Sequence, residues 1–147
     1  NFLGQALIHS QFIRVKHFCL SLICDEVVTV EYDIKNITNY SNRELLHNQN
    51  KEHFVYGSSI DASVINKAKS FGEFDAVFID GNHSYEYVKL DWENYSKLVK
   101  KNGIVAFHDA CLDADRYGTP KVLSEIGKDI TLIKHSKEVG IAYYIND

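Results

Sequence analysis

The sequence contains one proline, one tryptophan and no methionine. A single proline in 147 residues excludes a polyproline or collagen-like chain and leaves few forced breaks in regular structure. Cysteine is equally scarce: Cys19, Cys24 and Cys111, an odd number with no C-x-x-C pair. That excludes a disulfide framework and a zinc knuckle, and it suits reduced thiols in a cytoplasmic protein. No apolar run approaches the roughly 20 residues of a membrane helix. Nor is there a basic excess, since 16 Lys and Arg stand against 20 Asp and Glu for a net charge of -4. A nucleic-acid binder working through counterion release is therefore disfavoured. A chain without methionine that opens on Asn1 reads as one whose initiator was removed or whose start lies upstream.

Apolar residues make up 45% of the chain and aromatics 12%, enough to bury a core. The length suits one domain, residues 1–147. Leu3, Leu7, Ile8, Phe12, Val15, Phe18 and Leu22 recur at helical spacing and predict an amphipathic helix from Leu3 to Ile23. Val27 to Tyr32 is a continuous β-branched run, as expected of a strand covered on both faces. Ser41 and Glu44 match a capping box opening a short helix through Leu45 and Leu46. His53 to Tyr56 predicts a second strand. Asp61 caps a helix carrying Val64, Ile65 and Ala68. Phe74 to Ile79 is a third strand. Tyr85, Val88, Trp92, Tyr95 and Val99 mark a helix that Asn102-Gly103 stops. Ile104 to Phe107 is a fourth strand, and Thr119-Pro120 opens a helix over Val122, Leu123 and Ile126. Ile130 to Ile133 and Ile141 to Ile145 close the chain as an antiparallel pair. Buried strands alternating with helices predict an α/β, Rossmann-like, mostly parallel sheet with helices on both faces.

In such a sheet ligands bind beyond the carboxyl ends of the strands. Every predicted strand before the closing pair ends in polar groups. Glu31 or Asp33 can accept hydrogen bonds from both hydroxyls of a ribose. Gly57, Ser58 and Ser59 allow close approach of a flat ring. Asp80 and Asp109 can share a divalent cation, oxygen ligands favouring Mg²⁺, Ca²⁺ or Mn²⁺ over zinc. His83, three residues past Asp80, can serve as a general base beside it. His108 can be a ligand or a group bracing one. His9, His17, His47, His53 and His135 read as ordinary surface or helix residues.

The segment FDAVFIDGNHSYEYVKLDWENYSKLVKKNGIVAFHDA resembles the core of class I S-adenosylmethionine-dependent methyltransferases. Within them it is similar to the branch with an I-D-G-x-H-x-Y motif and an F-H-D strand end. That branch holds the family 24 methyltransferases and relatives of the macrocin-type and cephalosporin-hydroxylase-type enzymes. The likeness spans Val27 to about Ile126 and rests on Asp80, Gly81, His83, Tyr85, Asp91, Gly103, His108 and Asp109 together. It implies methyl transfer to a hydroxyl of a small molecule or sugar. Glu31 or Asp33 would bind the ribose of S-adenosylmethionine. Gly57, Ser58, Ser59 and Ile60 would border its adenine, and Asp80 would line the same slot. Asp80 and Asp109, with His108, would hold a divalent metal such as Mg²⁺, and His83 would be the catalytic base. Gly4 would be the last glycine of the family's glycine-rich turn, with the strand before it missing and a central sheet position empty. The expected partners are the acceptor and neither nucleic acid nor membrane; a homo-oligomer stays open.

Two rivals remain. Gly81-Asn82-His83 matches a metallophosphoesterase element, but the D-x-H and G-D-x-x-D that should accompany it do not occur. A degenerate, non-catalytic methyltransferase-fold binding module would explain the missing front.

Overall fold

The computed structural model describes the backbone of residues 3–10, 20, 22–36, 52–111, 117–134 and 140–147. Seven strands are present: β1 Leu3–Ser10, β2 Cys24–Glu31, β3 Glu52–Tyr56, β4 Phe74–Asp80, β5 Val99–Phe107, β6 Thr131–Lys134 and β7 Gly140–Ile145. Among the described residues, α1 Ala62–Lys69, α2 Tyr85–Tyr95 and α3 Gly118–Glu125 are the longer helices between them. The strands form one sheet in the order β3-β2-β1-β4-β5-β7-β6. β1 to β5 pair in parallel, and β7 runs antiparallel to both β5 and β6.

The pleat explains why the central strands read as unbroken apolar runs. Successive side chains point to opposite faces, and here both faces are covered. Leu7, Val28, Val30, Val77 and Ile79 join the large core together with Val64 and Ile65 of α1 and Val88 and Tyr95 of α2. Their neighbours Ala6 and Val27 face the other way and form a second cluster with Cys24, against which Leu20 and Phe78 pack. Cys24 is a buried free thiol and Cys111 a partly exposed one.

The predicted helix from Leu3 is corrected at its start: Leu3–Ser10 is β1. It occupies the central sheet position expected to be empty, between β2 and β4. The error has a physical cause. Ala6 and Leu7 are adjacent and each only 1% exposed, so the strand shows no alternation, and a doubly covered strand is indistinguishable by periodicity from a buried helix. His9, read as a surface or helix residue, is a β1 residue paired with Val30 and Ile79.

The helix after Tyr85 is also shorter than predicted. It ends at Tyr95, a 3-10 turn covers Ser96–Leu98, and Val99 already belongs to β5. Asn102-Gly103 does not cap the helix. It lies in an irregularity of β5, where Asn102 takes φ 65° and the register against β4 shifts. The helix predicted to open at Ser41 lies outside the described residues.

Candidate active site

Parallel pairing brings the carboxyl ends of five strands to one edge. Ser10 stands opposite Asp80, Glu31 opposite Tyr56, and Ile79 opposite Phe107. β1 and β4 are the neighbours at which the strand order reverses, which is where open α/β sheets bind ligands.

Beyond β4 and β5 four side chains converge. The His83 imidazole Nδ1 stands 2.7 Å from Asp109 Oδ2. On the other side of that carboxylate, His108 Nδ1 lies 2.8 Å from Asp109 Oδ1 and 3.3 Å from Asp80 Oδ1. Asp80 and Asp109 are both buried, whereas His83 keeps a third of its side chain in solvent. Asp109 adopts φ 59°, a left-handed conformation that Asp tolerates better than most residues. The strain turns the chain sharply after β5, leaving Asp109 between the two imidazoles. One ligand atom each from Asp80, His83 and Asp109 lies within 4.8 Å of the others. The compact donor set thus contains His83, while the expected ligand His108 sits against both carboxylates.

A second group forms beyond β2 and β3. Glu31 is 3% exposed; its Oε1 accepts the Asp33 amide at 2.8 Å, and its Oε2 has no hydrogen-bond partner among the described residues. A buried carboxylate oxygen without a donor is costly unless something else supplies one. Asp33 is exposed and caps its own turn, accepting the Lys35 amide at 2.9 Å. Gly57 follows β3 and donates its amide to the Glu31 carbonyl at 3.0 Å. Its φ of 137° and an ideal Cβ only 2.6 Å from Val64 Cγ2 make any side chain there strained. Ser58 accepts the Asp61 amide through its carbonyl, Ser59 is buried, and Ile60 is half-buried. The Tyr95 hydroxyl of α2 donates to the Ser59 carbonyl at 2.8 Å and ties this loop to the helix. Burial pushes the Tyr95 phenol well above the usual tyrosine range.

Gly4 is the exception among the expected site residues. It lies within β1, six positions before the rim residue Ser10, and closes no turn. No glycine occurs between Gly4 and Gly57, so the segment following β1 carries none. Tyr117 and Gly118 were missed by sequence reasoning. The Tyr117 ring meets the His83 imidazole edge-on, with centroids 6.1 Å apart, and Gly118 donates its amide to the His83 carbonyl at 2.7 Å.

A family model described as a methyltransferase domain, the family 24 type, matches residues 10–110. The chain belongs to the family 24 methyltransferase domains. No curated protein matches it significantly. Among solved structures, the N-methyltransferase NodS from Bradyrhizobium japonicum WM9, in complex with S-adenosyl-L-homocysteine, superposes with a TM-score of 0.75 at 14% identity, covering 98% of this chain and 78% of that one. A caffeoyl-CoA O-methyltransferase candidate from Staphylococcus aureus gives 0.76 at 18% identity, covering 99% and 77%. An rRNA methylase from Streptococcus thermophilus gives 0.67 at 9% identity, covering 98% and 88%. At these identities the likeness is one of fold, and folds do not assign acceptors. The family match removes the metallophosphoesterase alternative for this methyltransferase domain.

Proposed function

We propose that this domain binds S-adenosylmethionine and transfers its methyl group to a hydroxyl of a small molecule or sugar, with His83 as proton acceptor. The observation that carries the reading is the His83–Asp109 pair on the same sheet edge as a buried Glu31 oxygen that has no hydrogen-bond partner among the described residues. Bound S-adenosylmethionine would supply an electrophilic methyl group on a sulfonium. The Glu31 carboxylate fits the ribose hydroxyls, which would satisfy Oε2. Asp33 is already engaged in its turn, so Glu31 is the better candidate. Gly57, Ser58, Ser59 and Ile60 follow the strand paired with β2 and would border the adenine.

At the reacting end, the Asp109 carboxylate beside Nδ1 would hold the His83 proton there and leave Nε2 as the acceptor. The acceptor oxygen would take the methyl carbon from the sulfonium, whose carbon–sulfur electron pair would stay on sulfur. The hydroxyl proton passes to His83 Nε2, and the Asp109 carboxylate stabilises the imidazolium. Orientation supplies the rest of the acceleration. The carboxylates Asp80 and Asp109, with His108 Nδ1 beside both, would also suit a hard divalent cation such as Mg²⁺ or Mn²⁺, which would orient the hydroxyl and lower its pKa.

The test is production of S-adenosylhomocysteine from S-adenosylmethionine over a panel of phenol, sugar and aliphatic alcohol acceptors, with amines as controls. Turnover with a hydroxyl acceptor and its loss in His83→Ala supports the reading; turnover confined to amines refutes it. If chelation lowers the rate, Asp80→Asn should abolish the response to added Mg²⁺. A second reading, a binding module without turnover, is favoured by the glycine-free segment after β1. Calorimetric binding of S-adenosylhomocysteine with no turnover on any acceptor would establish it.

A further inference from the structure

We propose that the first turn of α3, through Gly118 and Tyr117, is the positioning element for the His83 imidazole, held in register by a clasp between α2 and α3. This rests on the reading of His83 as proton acceptor. Within its own turn, the main chain around His83 is restrained locally by the Ser84 amide, which donates to Asn82 Oδ1 at 2.9 Å. The long-range restraint comes from α3: the Gly118 amide donates to the His83 carbonyl at 2.7 Å. That approach demands glycine. An ideal Cβ on Gly118 would lie 2.3 Å from both N and Cα of Tyr85 and 2.7 Å from the Ser84 carbonyl carbon. All three are backbone atoms, which cannot rotate aside.

The imidazole is thus gripped from two elements. Asp109 takes its Nδ1 from the end of β5, and the Tyr117 ring meets its edge at an interplanar angle of 80° from the start of α3. The register of α3 on α2 is set elsewhere on the same two helices. The Tyr85 hydroxyl, two residues beyond His83, donates to Glu125 Oε2 at 2.7 Å. Lys89 Nζ donates to the Tyr85 hydroxyl at 3.0 Å, and Lys121 Nζ lies 4.0 Å from the centroid of the Tyr85 ring. A hydroxyl bonded to a carboxylate and an ammonium is a directional contact, though a modest one where water reaches it. It adds a restraint on how α3 sits on α2, and therefore on where Gly118 meets His83.

A methyl group at Gly118 must move the two backbones apart by about an ångström to reach ordinary carbon contact, and a misplacement of that size lowers a rate by as much as about 100-fold. The variants are Gly118→Ala, Tyr117→Leu and Tyr85→Phe. The readouts are kcat and KM, S-adenosylhomocysteine affinity, and the ¹⁵N signals of His83 in histidine-labelled protein, assigned by their loss in His83→Gln. Gly118→Ala should lower kcat about tenfold, leave S-adenosylhomocysteine affinity within about twofold, and shift the His83 ring signals. Tyr85→Phe should move the same signals in the same sense by less, in protein that circular dichroism shows to be folded. Folded variants with unchanged His83 signals and unchanged kcat would overturn the proposal. If Gly118→Ala does not fold, Tyr117→Leu and Tyr85→Phe decide it, since both remove partly exposed groups. If the wild type methylates no acceptor, the proposed function fails, and the ring signals alone still test the coupling: movement supports it, constancy refutes it.

Discussion

Glu31 and His83 carry different halves of the proposed reaction, and single substitutions separate them. Glu31→Gln keeps shape but removes the charge that two ribose hydroxyls would meet. Hydrogen bonds to a charged group contribute about 1.5–3 kcal/mol, so S-adenosylhomocysteine affinity should fall by at least about tenfold in calorimetry. Asp33→Asn should change it little, because Asp33 faces solvent and caps its own turn. His83→Ala should behave in the opposite way: turnover falls by about 10²–10⁴, the range for loss of a general base, while cofactor affinity stays nearly unchanged. Equal loss of both would make His83 structural instead. At this scale much was legible in advance. Asp80, His83 and Asp109 end or follow strands, so the sheet edge alone assigned them to one neighbourhood. Tyr117 and Gly118 were not legible, because their importance lies in what they touch and not in their residue type.

Among the elements, β1 and the turn after β3 are the most exacting. Ala6 is 1% exposed and packs against Cys24 and Val27. Ala6→Lys would bury an unpaired ammonium there and should abolish cooperative folding, whereas a solvated helix face beside Gln5 would accept it. Thermal or urea unfolding followed by circular dichroism decides between the two. Gly57 faces a different constraint. Its φ of 137° and the 2.6 Å approach of Val64 Cγ2 combine backbone strain with overlap. Gly57→Ala should cost about 1–3 kcal/mol in a urea midpoint analysis, and because Gly57 donates to the Glu31 carbonyl, S-adenosylhomocysteine binding should weaken as well.

For the molecule as a whole, the opposite end of the sheet holds the strands together. Asp75 accepts the Gln5 amide at 2.7 Å and the Lys100 ammonium at 3.0 Å, joining β1, β4 and β5. Burial pushes the Asp75 carboxyl up, but the Gln5 and Lys100 contacts outweigh it and hold it below the usual value of 3.8. A carboxyl depressed in the folded state adds stability above its unfolded pKa and loses that contribution as pH falls through the folded one. Stability should therefore decline below about pH 4, and Asp75→Asn should flatten that decline in urea titrations. An unchanged acid limb would mean that other carboxylates set it.

The chemistry at the strand ends was in the sequence, because each run of apolar residues stops where it must meet solvent, and the polar groups that end it are its neighbours in the chain. The helices α1 and α3 were legible from their apolar stripes, a short-range signal, although α3 already starts at Gly118 and not at the expected Thr119 cap, and the Asp61 side chain makes no cap bond. The identity of Leu3–Ser10 as the central strand was decided only by tertiary structure, since a strand covered on both faces loses the alternation that would mark it. So was the grip of α3 on His83, which joins residues 35 positions apart through a backbone contact that leaves no trace in composition or spacing.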